Sequence, residues 1–162
     1  MSRSICFIGL LIFAGAIIFS CAKKQGTNPD LAFSDAALLD SCKNALAFTY
    51  YQNKDSVYTG AHGPHGAFKL KFNKTGYAAL TAAGKLPTNG KFQNGSMVVK
   101  EVFTTGKVDL YALMYKRNGA WLWAEIYPVG KVNYSVYKEP SVCIDCHKQS
   151  GNRDLVDSFN FY

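Results

Sequence analysis

The spacing of apolar positions changes along the chain and separates helical from extended stretches. From residue 34 to about residue 51, apolar residues recur at helical spacing behind a serine suited to cap a helix, which predicts a first helix. Phe68, Leu70 and Phe72 then alternate with lysines, a pattern typical of a half-buried strand. Residues 73–84 return to a helical pattern, and a glycine at its end predicts the stop.

The centre of the chain has the pattern of an antiparallel meander. Two strand-like stretches, 97–105 and 108–117, precede Asn118-Gly119, a pair that favours a type I′ turn because both central residues need positive φ. A third stretch follows the turn and carries two tryptophans on one face, and a weaker fourth covers 132–137. The order predicts an α+β fold, with flanking helices packed on one side of an antiparallel sheet and a short C-terminal segment.

The N-terminus has the pattern of an export signal. Arg3 is the only charge of the first twenty residues, and a long uncharged apolar run follows it. Cys21 comes next and begins a polar stretch, an arrangement that resembles a bacterial lipobox, in which the cysteine is lipidated. We predict a signal peptide at 1–20, a lipidated tether at 21–32 and a periplasmic, membrane-anchored domain at 33–162. An uncleaved anchor and a soluble export signal are alternatives that also place the domain outside the cytoplasm.

Composition narrows the class of protein. The chain has 162 residues, of which 48% are hydrophobic and 14% aromatic, enough for one packed domain and too many for a disordered chain. No apolar run reaches the roughly 18–20 residues of a membrane-spanning helix, which argues against a multi-span protein. The formal net charge of +7 is scattered along the chain, so nucleic acid is not expected as a partner.

Cys143, Cys146 and His147 form a Cys-x-x-Cys-His sequence, the spacing of c-type haem attachment. In such a motif both thiols add to the haem vinyl groups, and the adjacent imidazole ligates the iron from the proximal side. A redox dithiol or half of a zinc site is the alternative. No βαβ context for a dithiol is indicated, and further zinc ligands are distant in sequence. We therefore predict one covalently attached haem c, with His147 as the proximal iron ligand.

Three ordered pieces of the chain carry a family resemblance. The stretch 94–102 contains Val-Lys-Glu, Gly119-Ala120-Trp121 has a Gly-x-Trp pattern, and 154–156 adds Asp-x-Val after the haem motif. Together they resemble the cytochrome P-460 family and its relatives, the cytochromes c′-β. The resemblance implies that Lys100 occupies the position at which the family's lysine can be joined to the haem ring. Cytochromes c′-β share the fold without this bond, and periodicity alone favours an ordinary surface lysine.

The distal side of the haem is less defined by the sequence. His62 and His65 lie in a Gly/Pro-rich loop, where each is a candidate sixth ligand or proton donor and equally an exposed loop residue. Phe68 and Phe103 are candidates for an apolar cap over the iron, although core packing explains them equally well.

Three further reactive groups receive no assigned role from the pattern. Hydroxylamine oxidation needs a base that removes protons, and Glu101 and Glu125 are the carboxylates on the predicted strands. We expect both to be exposed. Cys42 lies among apolar residues of the first helix, which predicts a buried, inert thiol, with an intermolecular disulfide as the alternative.

Three functions follow from these expectations. The first is an enzyme that oxidises hydroxylamine, as the cross-linked family members do. The second is a gas-binding module that holds nitric oxide or carbon monoxide at a five-coordinate haem. The third is an electron carrier, ranked lower because no sixth ligand is evident. The expected partners are the small molecule, a redox partner protein and, through the lipid anchor, a membrane; a homodimer stays open.

Overall fold

The computed structural model describes residues 33–59 and 64–156. The predicted signal peptide, tether and lipidation site at Cys21, together with His62, lie outside these residues. The helices are α1 (Asp35–Lys43), α2 (Lys74–Ala78) and α3 (Ser141–His147), with 3₁₀ turns at Ala45–Ala47 and Tyr51–Asn53. The strands are β1 (Phe48–Tyr50), β2 (Tyr58–Thr59), β3 (Ala67–Asn73), β4 (Met97–Thr104), β5 (Lys107–Arg117), β6 (Ala120–Ile126) and β7 (Val132–Tyr134).

All the described strands belong to one antiparallel sheet. Its order is β1-β3-β4-β5-β6-β7, and β2 also pairs with β3. The predicted hairpin forms between β5 and β6, where Asn118 and Gly119 have φ of 49° and 78°. The predicted α+β fold is thus confirmed, and the central meander follows the predicted strand order.

The sheet separates two apolar cores, because successive side chains of a strand point to opposite faces. On one face, here called the α1 face, strand residues pack against α1. This core contains Leu38, Leu39, Cys42, Val99, Leu113, Tyr115, Ala124 and Ile126. On the other, the α3 face, the strands pack with residues of α3. That core contains Phe68, Leu70, Phe72, Val98, Met114, Trp121 and Trp123. The expectation that the helices share one side of the sheet is therefore wrong.

The first helix is shorter than its pattern predicts. Ser34 caps α1, since its Oγ accepts a hydrogen bond from the backbone N–H of Ala37 at 3.1 Å, but the helix ends at Lys43. Residues 48–50 form β1 instead, because they pair with the far end of β3. Leu46, which the helical pattern would bury, is almost fully exposed.

The second helix is also shorter than predicted. Asn73 caps α2 by accepting from the N–H of Gly76 at 2.9 Å, and the helix ends after five residues. The chain then continues in turns, one of which is closed by the Gly84 N–H donating to the carbonyl of Thr81 at 2.8 Å. Among the described residues, no helix is long and apolar enough to cross a membrane.

Two charged residues of the central strands are buried on the α1 face. Lys71 and Glu101 form an ion pair there, and Lys71 Nζ also donates to the carbonyl of Cys42 at 2.7 Å. Tyr50 donates its hydroxyl hydrogen to Glu101 Oε2 at 2.9 Å. The expectation that Glu101 is exposed is wrong, because α1 and its flanking turns cover this face of the sheet. Cys42 is fully buried, as predicted.

Candidate functional site

The Cys-x-x-Cys-His motif lies on the short helix α3. Residues 143, 146 and 147 are three and four positions apart, a spacing that puts their side chains on one side of a helix. Cys143 and Ile144 pack against the core of the α3 face. All three motif residues line one cavity on this side of the sheet.

A cavity of about 110 Å³ that opens to solvent lies between α3 and the sheet. This enclosed volume is below the range of about 300–1,000 Å³ typical of small-molecule and cofactor sites, so a haem bound here would also occupy the open space beside it. Its wall combines the motif residues with mostly apolar side chains of the strands. The principal lining residues are His65, Leu70, Val98, Lys100, Ala112, Met114, Trp123, Glu125, Cys143, Cys146, His147 and Val156.

One cross-strand row forms part of the cavity floor. Leu70, Lys100, Ala112 and Glu125 are successive register partners across β3, β4, β5 and β6. The small side chain of Ala112 separates Lys100 from Glu125, so the two charged residues flank a gap two strand spacings, about 10 Å, across. The sheet register thus brings an amine and a carboxylate to the same level beneath α3.

His147 is buried and held in one orientation. Its Nδ1 lies 2.7 Å from the carbonyl oxygen of Leu155, and its ring meets the Trp123 ring edge-on at a centroid distance of 4.6 Å. A carbonyl oxygen only accepts hydrogen bonds, so Nδ1 carries the proton and Nε2 carries the lone pair of the neutral ring. This is the tautomer that a metal-ligating imidazole uses when a backbone carbonyl orients it.

Lys100 reaches the cavity from β4, and its Nζ lies 4.6 Å from the ring centroid of Phe68. A lysine over an aromatic face is stabilised by about 0.5–1 kcal/mol at exposed sites and by more when desolvated. Phe68 is a buried member of the α3-face core. The cation–π contact with Phe68 therefore helps to hold the Lys100 amine at the cavity wall.

Glu125 is fixed at the cavity wall by two neighbours. Asn133 Nδ2 donates to Glu125 Oε2 at 2.6 Å, and His65 Nδ1 lies 3.8 Å from Oε1. The side chains of His65 and Glu125 are about one fifth and one quarter exposed. The structure thus pairs an imidazole with a carboxylate beside the motif, and the expectation that Glu125 is exposed is wrong.

Cys143 is half-buried close to this carboxylate. Burial raises the pKa of its thiol, and the negative charge of Glu125 raises it further. The thiol is consequently kept protonated near neutral pH. No disulfide joins Cys143 to Cys146, and Cys42 is a free thiol on the opposite face of the sheet.

The cavity lining differs from the predicted distal residues at several positions. Phe103 does not line the cavity: it pairs with Ala67, and its ring lies 5.3 Å from Lys69 Nζ. The cavity wall includes Met114 and Trp123, which the sequence identified only as strand residues. No pattern could have selected them, because the alternation of a strand shows two faces without showing which one is covered by α3.

The residues present fit a covalently bound haem. Two thiols and an imidazole line one cavity, and the imidazole has the tautomer required of an iron ligand. Trp123 Nε1 is a buried donor for which the described residues provide no acceptor. Buried donors without acceptors are rare and point to a group that completes the site. Cys143, Cys146 and His147 would hold the haem, with Lys100 at its periphery.

Within residues 33–59 and 64–156, no group of three or more His, Cys, Asp and Glu side chains is arranged to hold a metal ion. Comparison with known proteins found no match to a family model, to a curated protein or to a solved structure.

Proposed function

We propose that this chain is an exported mono-haem c-type cytochrome whose haem occupies the cavity under α3 and carries out hydroxylamine or nitric oxide redox chemistry. One observation carries the proposal: Lys100, from the centre of the sheet, lines the same cavity as Cys143, Cys146 and His147. The family resemblance requires Lys100 to lie close to the motif. The two are far apart in the sequence, so their proximity comes from the fold.

Each polar group at the cavity has a role in this proposal. The thiols of Cys143 and Cys146 would hold the haem through thioether bonds, and His147 would provide the nitrogen ligand for its iron. When bound, the haem supplies an iron that exchanges electrons with hydroxylamine or nitric oxide. Lys100 lines the same cavity. Joining its amine to the ring edge would replace a ring C–H bond by a C–N bond, which requires an external two-electron oxidant, and would alter the electronics of the macrocycle.

The His65–Glu125 pair supports the enzymatic function in particular. Oxidation of hydroxylamine releases protons together with electrons, so a positioned base accelerates it. Glu125 accepts a proton from substrate at the cavity wall, and His65 beside it relays the proton towards solvent. The electrons leave to a redox partner protein, since one haem cannot store them all.

Binding of nitric oxide or carbon monoxide is the second candidate function. The lining of the cavity favours it, because Leu70, Val98, Ala112 and Met114 form an apolar wall suited to a small, nearly non-polar gas. The two functions differ in their need for a proton acceptor, and this difference makes them separable by experiment.

Covalent attachment is the first test. In a host with a c-type attachment system, the full chain should keep its haem on a denaturing gel and gain the haem mass. The double variant Cys143→Ala with Cys146→Ala should lose both signals. Cys42→Ala, the matched control on the other face of the sheet, should retain them. Complete extraction of the haem into acidified organic solvent would refute the proposal.

The proposed location has a separate test at Cys21. Mass spectrometry of the mature protein should detect an acylated cysteine at its N-terminus, and Cys21→Ser should release the domain from the membrane fraction. A mature protein without lipid that begins at another residue would contradict the anchor while leaving the haem proposal intact.

A further inference from the structure

The segment that follows α3 makes a tight turn over residues 153–156. The N–H of Val156 donates to the carbonyl of Arg153 at 2.9 Å, and the two central residues, Asp154 and Leu155, have φ of 47° and 62°. Two positive φ values are the pattern of a type I′ turn, which normally uses glycine or asparagine. A leucine in this conformation is strained and requires support from its surroundings.

The side chain and the backbone of Asp154 both provide that support. Its carboxylate accepts from Lys116 Nζ at 2.9 and 3.1 Å and from the backbone N–H of Phe92 at 2.8 Å. Its carbonyl accepts from Trp121 Nε1 at 2.7 Å. The side chains of Lys116 and Asp154 are only 7% and 9% exposed, so this is a buried ion pair that ties the turn to β5.

The residue next to Asp154 makes the contact that orients the proximal histidine. Leu155 presents its carbonyl oxygen to His147 Nδ1 at 2.7 Å. Because Asp154 bonds to Lys116 and Trp121, β5 and β6 help to set the position of this oxygen, in addition to the bond of Asn152 Nδ2 to the His147 carbonyl at 2.9 Å. Contacts with the sheet therefore help to orient the imidazole.

We propose that the Lys116–Asp154 ion pair is a positioning device for His147. By holding the turn, the pair keeps the Leu155 carbonyl at Nδ1, locks the Nδ1–H tautomer and aims Nε2 into the cavity. The hydrogen bond also raises the basicity of the ligating nitrogen, which favours ferric over ferrous iron. The consequence for the iron rests on the proposed function, whereas the effect on the tautomer does not.

Two Asp154 variants test the device. Asp154→Ala removes the bonds of the carboxylate to Lys116 Nζ and to the Phe92 N–H, and it leaves the Trp121 bond to the Asp154 carbonyl in place. Asp154→Asn keeps an acceptor for the Phe92 N–H and removes only the charge, so it serves if the alanine variant does not fold. Asp55→Asn is the matched control, because it breaks the Lys69–Asp55 ion pair, at 2.7 Å, where the carboxylate is more than half exposed.

The first readout needs no haem. In the full chain produced without haem attachment, long-range proton–nitrogen NMR should show His147 as the Nδ1–H tautomer. The Asp154 variants should shift it to a mixture of tautomers, and Asp55→Asn should leave it unchanged. An unaltered His147 tautomer in a folded Asp154 variant would overturn the proposal.

The second readout applies to the haem-loaded protein. We expect the Asp154 variants to lower and broaden the iron–histidine stretching frequency of the ferrous state and to raise the midpoint potential, with covalent haem unchanged. An unchanged frequency and potential would refute the effect on the iron. If the parent chain attaches no haem, the proposed function fails, and the tautomer measurement still decides the role of the ion pair.

Discussion

The Nδ1 atom of His65 lies 3.8 Å from Oε1 of Glu125, and both side chains line the cavity that contains the Cys-x-x-Cys-His motif. Asn133 holds the other carboxylate oxygen of Glu125 at 2.6 Å. A carboxylate held between two neighbours at a cavity wall has the position and the chemistry of a general base. In the proposed function, a proton acceptor at this position is needed for oxidation of hydroxylamine and not for binding of a gas.

Glu125→Gln should therefore slow hydroxylamine oxidation by about 10²–10⁴-fold, the usual contribution of a positioned acid or base. Carbon monoxide binding to the ferrous protein requires no proton transfer and should stay unchanged. Steady-state turnover and flash-photolysis rebinding measure the two effects. Glu139→Gln, at an exposed position, is the control. Equal turnover in Glu125→Gln and its parent would remove Glu125 from the mechanism.

The lysine at the cavity wall should be joined to the haem if the cross-linked family is the right analogy. A tryptic digest should then contain one haem species that connects the Lys100 peptide with the peptide of Cys143 and Cys146. Lys100→Ala should restore an ordinary c-type absorption spectrum and lower hydroxylamine turnover with the fold intact. Lys69→Ala, on the same sheet but its other face, should change neither. Haem found only on the cysteine peptide would favour gas binding instead.

The buried ion pair on the α1 face should contribute to the stability of the fold. Glu101→Gln leaves the ammonium of Lys71 buried without its partner, and we expect a loss of about 3–5 kcal/mol in the free energy of unfolding. Replacing both residues by methionine removes the uncompensated charge and should cost less than the single change. Urea unfolding measures both variants. A double variant less stable than Glu101→Gln would contradict this account.

Alkaline pH should destabilise the folded chain through Cys42. Burial raises the pKa of its thiol from 9.0 to about 12. Below pH 9 the thiol is protonated in both states and stability does not depend on it. Between pH 9 and 12 the unfolded chain loses the proton while the folded chain keeps it. Stability therefore falls, by up to about 1.4 kcal/mol per pH unit from this group.

Urea unfolding near pH 8 and near pH 10 checks this behaviour in the parent and in Cys42→Ala. The pKa of Tyr50 is also raised, by burial and by its hydrogen bond to Glu101, and adds a loss of stability in the same direction. The parent should lose more stability than Cys42→Ala over this interval. Identical pH dependence in the two proteins would show that Cys42 does not contribute.

Much of the sheet could be predicted from local sequence, because its determinants are local. Alternation marks β3, β4 and β5, and Asn118-Gly119 specifies the turn after them. The lengths of the helices could not be predicted in this way. Residues 48–50 become a strand only because β3 offers a pairing edge, and that partner is distant in sequence.

Only the part of the candidate site that has a fixed sequence motif could be predicted from the sequence. The spacing of Cys143, Cys146 and His147 identifies a possible haem anchor without any structure. The Leu155 carbonyl at His147 Nδ1 leaves no trace in the sequence, since any residue has a carbonyl. The burial of Glu101 and the position of Glu125 depend on which helix covers which face, and alternation does not encode that choice.

The alternation of faces along β4 also restricts how this chain can change over evolutionary time. Lys100 faces the cavity, and Glu101, its neighbour, faces the core beneath α1. Insertion or deletion of one residue within the strand exchanges the two faces for every position beyond it. The carboxylate would then enter the cavity and the amine would enter the opposite core. A substitution in β4 therefore affects one face at one position, whereas a change in the length of the strand affects both faces at once.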